Sequence, residues 1–181
     1  QLPFAINASR CVLEEIDDGR VLRICFEWNG CGNERLVQRA AEISLGSGGN
    51  IKFDLKCWSE DLSRALSGVS NRKAFDNFAM VAGQTRERRC GIPALTATTL
   101  LVPGYVDEHE ILGISKFIAD LDPQIPYSLL VFHPDYFFYD LPPTPLTQVV
   151  RCFQAAKQNL QNVNVGNLST IGIRDISMLA P

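Results

Sequence analysis

The sequence has no long run of like charges and no long apolar segment. Its 17 basic and 20 acidic residues give a net charge of −3, and no run of like charges exceeds the short stretch 86–89. This excludes the basic patch that nucleic-acid-binding proteins use. No apolar run approaches the roughly 20 residues of a membrane span, and the first residues lack the features of a secretion signal. The sequence therefore predicts a cytoplasmic protein that binds neither nucleic acid nor membranes.

The cysteine motifs of metal sites are missing as well. The six cysteines are widely and irregularly spaced, with no C-x-x-C pair and no histidine at a metal-binding spacing. In a cytosolic chain of this size, scattered cysteines are mostly small buried apolar residues. We therefore expect no metal ligands in this chain and buried positions for its cysteines. They are Cys11, Cys25, Cys31, Cys57, Cys90 and Cys152.

The composition otherwise suits one globular domain. The chain has 181 residues, of which 46% are hydrophobic, and a chain of this length can bury a full core. No stretch rich in proline, glycine or serine divides it. We predict a single domain over residues 1–181. Because the sequence begins at Gln1 without methionine, we expect it to be a piece of a longer protein.

Short apolar segments alternate along the chain with amphipathic helical segments. Most of the apolar segments are continuous, as in strands that are buried on both faces of a parallel sheet. Strands alternating with helices predict βαβ units and an α/β fold. At about 36 residues for each of five units, the chain is too short for the eight units of a TIM barrel and suits part of one. The predicted strands are Val21–Phe26, Asn50–Leu55, Ala94–Val102, Tyr127–Phe132 and Asn162–Val165.

The predicted domain has three parts. Residues 1–20 are expected to be an irregular lead-in, and residues 21–134 to form the βα units of a partial TIM-type barrel with parallel strands. Residues 135–181 are expected to form a loop, a helix and the last strand. The segment Ser59–Thr85 is predicted to contain two helices.

Helix starts are marked by capping residues. Asn33 is placed to cap one helix, and Asp107 with Glu110 has the spacing of a capping box before another. Thr144 followed by Pro145 predicts a cap and a first-turn proline for the last helix.

Polar residues follow the predicted strands, at the edge of a parallel sheet where ligands bind. Asp54 and Lys56 are two residues apart on a strand, so their side chains point to the same face. This pair could hold a zwitterion, with the carboxylate accepting from an ammonium group and the lysine binding a carboxylate. Alternatively, the two side chains pair with each other, or Lys56 is solvated beyond the strand.

Other candidates are less specific. His133 follows five apolar residues at the end of a strand and is either a structural histidine or a ligand contact. His109 receives no role. Asn29 precedes Gly30 in a turn that could direct an amide into the site or be a plain loop. The aromatic segment Tyr136–Tyr139 is expected to pack on the fold rather than to line a substrate or partner surface.

Five motifs at the ends of predicted elements carry a family resemblance. They are Phe26–Gly30, Ile51–Lys56, Leu66–Asn71, Thr99–Asp107 and Tyr127–Pro134. In this order and spacing they resemble the C-terminal two-thirds of a radical S-adenosylmethionine (SAM) enzyme. The resemblance is to the branch of pyruvate formate-lyase activating enzyme and, within it, to the AmmeMemoRadiSam type. Trp28 stands where that family usually has threonine.

The resemblance implies a partial TIM-type barrel with SAM bound across the strand ends. By position, Asp54 and Lys56 would contact the amino acid moiety of SAM. His133 would lie near SAM, and Asn29 on its ribose side. Thr98 occupies the position of the SAM site at which activating-enzyme relatives carry an arginine.

The family's iron–sulfur motif is missing from this chain. Radical SAM enzymes hold a 4Fe–4S cluster through the three cysteines of a C-x-x-x-C-x-x-C motif, and the sequence contains none. We therefore expect a fragment of a radical SAM enzyme, or a relative that has lost its chemistry. The intact parent would use SAM and a 4Fe–4S cluster to generate a 5′-deoxyadenosyl radical, whereas this chain alone would be inactive.

The alternative is a non-catalytic half-barrel module. It would bind a small molecule, such as a nucleoside or an acidic metabolite, or a partner protein through Tyr136–Tyr139. The sequence identifies neither a substrate nor a partner protein. A first strand without a neighbour would leave an exposed sheet edge, which predicts dimers or aggregation.

Overall fold

The computed structural model describes residues 1–16, 19–85 and 93–179. These residues form α helices and β strands in alternation, with short 3₁₀ turns at Tyr136–Phe138, Leu168–Ile171 and Ile176–Leu179. In chain order the main elements are α1 (Leu2–Glu15), β1 (Phe26–Trp28), α2 (Glu34–Ser47), β2 (Ile51–Asp54), α3 (Glu60–Ser67), α4 (Arg72–Thr85), β3 (Leu95–Leu101), α5 (Glu108–Leu121), β4 (Tyr127–Val131), α6 (Leu146–Lys157) and β5 (Val163–Gly166).

The five strands belong to one parallel sheet in the order β1-β2-β3-β4-β5. Phe26 pairs with Ile51 between β1 and β2, and Leu101 pairs with Val131 between β3 and β4. At least one helix connects each strand to the next, which is the arrangement of (β/α) barrels. The predicted α/β fold with parallel strands is confirmed.

By its contacts the chain divides into two compact units. Unit 1 contains Gln1–Phe53 and Arg72–Thr96, and unit 2 contains Asp54–Asn71 and Ala97–Pro181. The assignment of residues 1–181 to a single domain stays a prediction.

Each unit has its own apolar core. In unit 1, the ring of Phe53 meets the ring of Phe78 edge-on at 5.3 Å, and both side chains are fully buried. In unit 2, α5 packs on α6, and Ile114, Ile118 and Tyr127 are fully buried. Burial of such side chains is the main favourable contribution to folding, at about 1.5–3 kcal/mol for each large aliphatic or aromatic side chain.

Two predictions near the N-terminus are wrong. The lead-in predicted to be irregular contains the helix α1, which starts with a proline in its first turn, where no helical N–H is needed, and buries Ile6. The first strand begins at Phe26 and not at Val21, which is 85% exposed. The Ile24 N–H, which precedes the strand, donates to the Ser47 hydroxyl rather than to a strand. The other predicted strands differ from the observed ones by one residue at one or both ends.

The caps predicted from the side chains of Asn33 and Asp107 are confirmed, and the cap predicted from Thr144 is wrong. The Asn33 side chain accepts from the N–H of Arg35, and Asp107 accepts from the N–H groups of residues 109 and 110. Thr144 caps nothing, because α6 begins after Pro145 without a side-chain cap. The two helices predicted within Ser59–Thr85 are present as α3 and α4.

Within the described ranges, no helix has the length and apolar character needed to cross a lipid bilayer.

Candidate functional site

Three of the five predicted site residues form one hydrogen-bonded cluster in unit 2. Asp54 ends β2, and the Lys56 ammonium lies 2.7 Å from Asp54 Oδ2. The Thr98 hydroxyl, on β3, donates to Asp54 Oδ1 at 2.7 Å. The prediction that Asp54 and Lys56 lie on the same face is therefore confirmed. Of the alternatives left open by the sequence, the structure shows the ion pair between the two side chains.

The cluster combines a fixed anchor with an accessible ion pair. Thr98 is 4% exposed, so its hydroxyl orients the Asp54 carboxylate from the protein side. The side chains of Asp54 and Lys56 are 29% and 40% exposed. An ion pair this accessible stabilises a protein by only about 0–1 kcal/mol. A zwitterionic ligand can therefore replace it at little cost, with its ammonium on Asp54 and its carboxylate on Lys56.

The backbone that follows Lys56 is bound from two sides, an arrangement that sequence reasoning missed. The Asn71 amide donates to the carbonyl oxygens of Cys57 and Trp58, at 2.9 and 2.7 Å. The Glu110 carboxylate accepts from the N–H groups of Trp58 and Ser59, at 2.6 and 3.1 Å. The capping-box role predicted for Glu110 is corrected accordingly, because its carboxylate serves the segment after β2. Local spacing could not reveal bonds across 51 and 52 residues.

His133 and Asn29 make their observed side-chain contacts with residues outside this cluster. The His133 ring lies 3.2 Å from the Asp135 carboxylate, and its side chain is 61% exposed. Asn29 belongs to unit 1, where its side-chain oxygen accepts from the N–H of Cys31 at 3.1 Å in a local turn. Their placement beside a bound ligand stays a prediction.

The aromatic segment Tyr136–Tyr139 packs on the fold through one residue only. The Phe138 ring meets the Phe132 ring edge-on at 6.4 Å. Tyr136, Phe137 and Tyr139 are 86%, 81% and 78% exposed. The prediction that this segment packs on the fold is therefore wrong for three of its four residues.

The cysteines only partly follow their prediction. Cys57 and Cys152 are buried, Cys31 is half-buried, and Cys11 and Cys25 are exposed. Cys90 and the charged stretch 86–89 lie outside the described residues. In the described part of the chain, no three His, Cys, Asp or Glu side chains are grouped so that they could hold a metal ion. These residues therefore do not fit a 4Fe–4S cluster.

The buried cysteines are expected to be unreactive in the folded protein. Burial, reinforced by the Glu110 carboxylate, raises the pKa of Cys57 from 9.0 to about 11. Burial, reinforced by Glu108 and Asp107, raises the pKa of Cys152 to about 12. Because the thiolate is the reactive form, iodoacetamide at about pH 8 should label Cys11 and Cys25 in the native protein, and Cys57 and Cys152 only after unfolding. Mass mapping of the labelled peptides measures this.

The same pKa shifts give stability a defined pH dependence. Below pH 9.0 these two thiols are protonated in both the folded and the unfolded chain. Between pH 9.0 and about 11 the unfolded thiols ionise while the folded ones keep their protons, so the free energy of unfolding should fall. Urea midpoints that stay constant over this range, or native labelling of Cys57, would contradict the assignment.

Comparisons with known proteins identify the fold. No family model matches the chain. It is 36% identical over 74 residues to an uncharacterised protein of Methanocaldococcus jannaschii, a match that covers 39% of this chain and spans about a fifth (22%) of that relative.

Two of the solved structures that resemble this chain each cover more than nine-tenths of it. One is a domain of pyruvate-formate lyase-activating enzyme from Bacteroides vulgatus, with a TM-score of 0.70 and 18% identity, covering 92% of this chain and 91% of that domain. The other is the HMG-CoA lyase from Brucella melitensis, with a TM-score of 0.57 and 14% identity, covering 91% of this chain and 56% of that enzyme. At these identities the likeness establishes the fold, an α/β fold shared with a domain of pyruvate-formate lyase-activating enzyme and with an HMG-CoA lyase.

Proposed function

We propose that this chain is the SAM-binding wall of a radical SAM enzyme related to pyruvate formate-lyase activating enzyme. The observation that carries the proposal is the cluster in which Asp54 and Lys56, at the carboxyl end of β2, meet Thr98 from the middle of β3, in a fold shared with a domain of that enzyme. Ligands of parallel α/β folds bind at the carboxyl ends of the strands. The ion pair of Asp54 and Lys56 lies at this edge, and its charges suit an amino acid.

The residues of the proposed site bind different parts of SAM or orient each other. Asp54 accepts from the ammonium of the SAM methionyl group, Lys56 donates to its carboxylate, and Thr98 keeps the Asp54 carboxylate oriented. His133 contacts SAM from the end of β4. The cysteine motif of a 4Fe–4S cluster is missing from the sequence. Reductive cleavage of SAM is therefore proposed for the intact parent enzyme, and this chain is expected to bind SAM without cleaving it.

Calorimetric titration of the chain with SAM tests the proposal. Lys56→Gln and Asp54→Asn each remove one charge from the cluster. A hydrogen bond to a charged group contributes about 1.5–3 kcal/mol, so each variant should bind SAM about tenfold more weakly or worse.

Lys116→Gln is the matched control. Lys116 forms an ion pair with Asp120 at 3.2 Å on the exposed face of α5, so this variant removes the same charge from the same kind of pair. It should bind SAM like the wild type. The proposal fails if the wild-type chain shows no binding, or if Lys56→Gln and Lys116→Gln behave alike.

A second candidate function is supported by the exposed aromatic side chains of Tyr136, Phe137 and Tyr139. Exposed apolar patches mark interaction sites, and these residues suit a module that binds a partner protein without catalysis. The sheet edge at β1, which is three residues long, is the corresponding candidate for self-association. A wild-type chain that produces no heat with SAM would favour this function over the first.

A further inference from the structure

We infer that Glu110 and Asn71 are positioning residues that hold Lys56 where it can bind the carboxylate of an amino acid ligand. This inference rests on the proposed function, because it assigns Lys56 its role at that site. Both residues lie outside the charged cluster, on α5 and in the turn before α4. They are 6% and 7% exposed, so their polar groups are committed to the protein.

The first step is the segment from Cys57 to Ser59, which begins immediately after Lys56. Its carbonyl groups are bound by the Asn71 amide and its N–H groups by the Glu110 carboxylate. Bonds to a buried carboxylate are among the stronger hydrogen bonds in proteins, and losing a partner leaves buried groups unsatisfied. The main chain that follows Lys56 is therefore fixed to α5 and to the turn before α4.

The Trp58 ring gives the segment a further anchor. It lies against α5 at Gly113, where a Cβ atom would come within 2.4 Å of Trp58 Cγ. Only glycine lets the indole approach this closely. The side chain and the backbone of Trp58 are thus held by the same helix that carries Glu110.

The main chain before Lys56 is fixed as well. The Leu55 N–H donates to the carbonyl of Thr98 at 2.9 Å, and the Leu55 carbonyl accepts from the Thr99 hydroxyl at 2.6 Å. Lys56 therefore lies between two anchored stretches of backbone. The freedom that remains belongs to its side chain, which can exchange Asp54 for a ligand carboxylate.

A purely structural role is the competing explanation. Ser59 is the N-cap residue of α3 and makes no side-chain capping bond, so Glu110 also satisfies backbone N–H groups at the start of that helix. Such a role would stabilise α3 whether or not Lys56 binds a ligand. The test must therefore show that Glu110 acts through Lys56.

A double-mutant cycle provides this test. Glu110→Gln keeps the size of the side chain but places an amide against N–H donors, and it should weaken SAM binding about five- to tenfold. In the Lys56→Gln background the same substitution should cause no further loss, because Lys56 no longer binds the carboxylate. Binding of 5′-methylthioadenosine, which lacks the amino acid moiety, should change less than about twofold.

Glu108→Gln is the matched control. Glu108 lies in the same first turn of α5, and its carboxylate is 3.7 Å from the Arg151 guanidinium at the surface. This variant should bind SAM like the wild type. If Glu110→Gln does not fold, Glu110→Asp and Asn71→Ser enter the same cycle and should give the same selective loss.

The outcomes separate this inference from the proposed function. A wild-type chain that does not bind SAM refutes the proposed function and, with it, the positioning role. Wild-type binding with an unchanged Glu110→Gln variant refutes the positioning role alone. So does an equal loss in the wild-type and Lys56→Gln backgrounds, or an equal loss for SAM and 5′-methylthioadenosine.

Discussion

Replacing Gly49 with alanine is expected to destabilise unit 1 by about 3 kcal/mol or more. A Cβ atom at this position would lie 1.8 Å from the carbonyl oxygen of Ile24 and 2.6 Å from its carbonyl carbon. Both are backbone atoms, so no side-chain rotation relieves the overlap. A chemical denaturation curve followed by circular dichroism measures the loss of stability.

The end of α2 prevents the backbone from moving away from this overlap. Gly48 adopts the left-handed conformation with φ of 78°, and the Gly49 N–H donates to the Ser44 carbonyl at 2.7 Å. This bond and the one from the Gly48 N–H to the Leu45 carbonyl close the last turn of the helix. On the other side, the Ile24 N–H is bound to the Ser47 hydroxyl, so the opposing segment is tied to the same helix.

Gly46→Ala is the matched control within the same helix. A Cβ atom at Gly46 would have nothing within 4 Å, and the residue lies inside α2. Alanine is favoured over glycine in a helix by about 0.5–1 kcal/mol, so this variant should be slightly more stable than the wild type. Similar denaturation midpoints for the two variants would contradict the structure at Gly49.

Features set by local periodicity could be predicted from the sequence. The alternation of strands and helices gave the parallel α/β fold, and the two-residue period of a strand placed Asp54 and Lys56 on one face. The side chains of Asn33 and Asp107 cap their helices as predicted, because a capping bond spans only two or three residues.

Features set by contacts between distant parts of the chain could not be predicted. Glu110 has the spacing of a capping box, yet it binds the backbone of Trp58 and Ser59, which lie more than 50 residues away. Tyr136 belongs to an aromatic segment that was predicted to pack on the fold, yet its side chain is 86% exposed. Phe138 is the residue of this segment whose ring contacts Phe132. In both cases the sequence singled out a segment by its residue types but did not show which of its side chains contact the rest of the protein, or where.

Thr144 is a further example, and its replacement by valine is the second large effect expected. The Thr144 hydroxyl donates to the Leu101 carbonyl at 2.7 Å and accepts from the Phe132 N–H at 2.8 Å. It thereby joins the end of β3 to the residue after β4, and the side chain is fully buried. Valine has nearly the same shape but no hydroxyl, so both backbone groups would be left without this partner.

Each buried polar group left unsatisfied costs about 1–3 kcal/mol, so the loss of a partner for two such groups in Thr144→Val should lower the free energy of unfolding by about 2–6 kcal/mol. Thr144→Ser keeps the hydroxyl and removes one methyl group, which should cost about 1 kcal/mol. Urea unfolding of the two variants measures both values. A valine variant as stable as the serine variant would show that the hydroxyl does not join these strand ends. The serine variant should be the more stable of the two because its hydroxyl, like that of Thr144, can donate to the Leu101 carbonyl and accept from the Phe132 N–H at once. A side chain that only capped a helix would need to accept and not to donate.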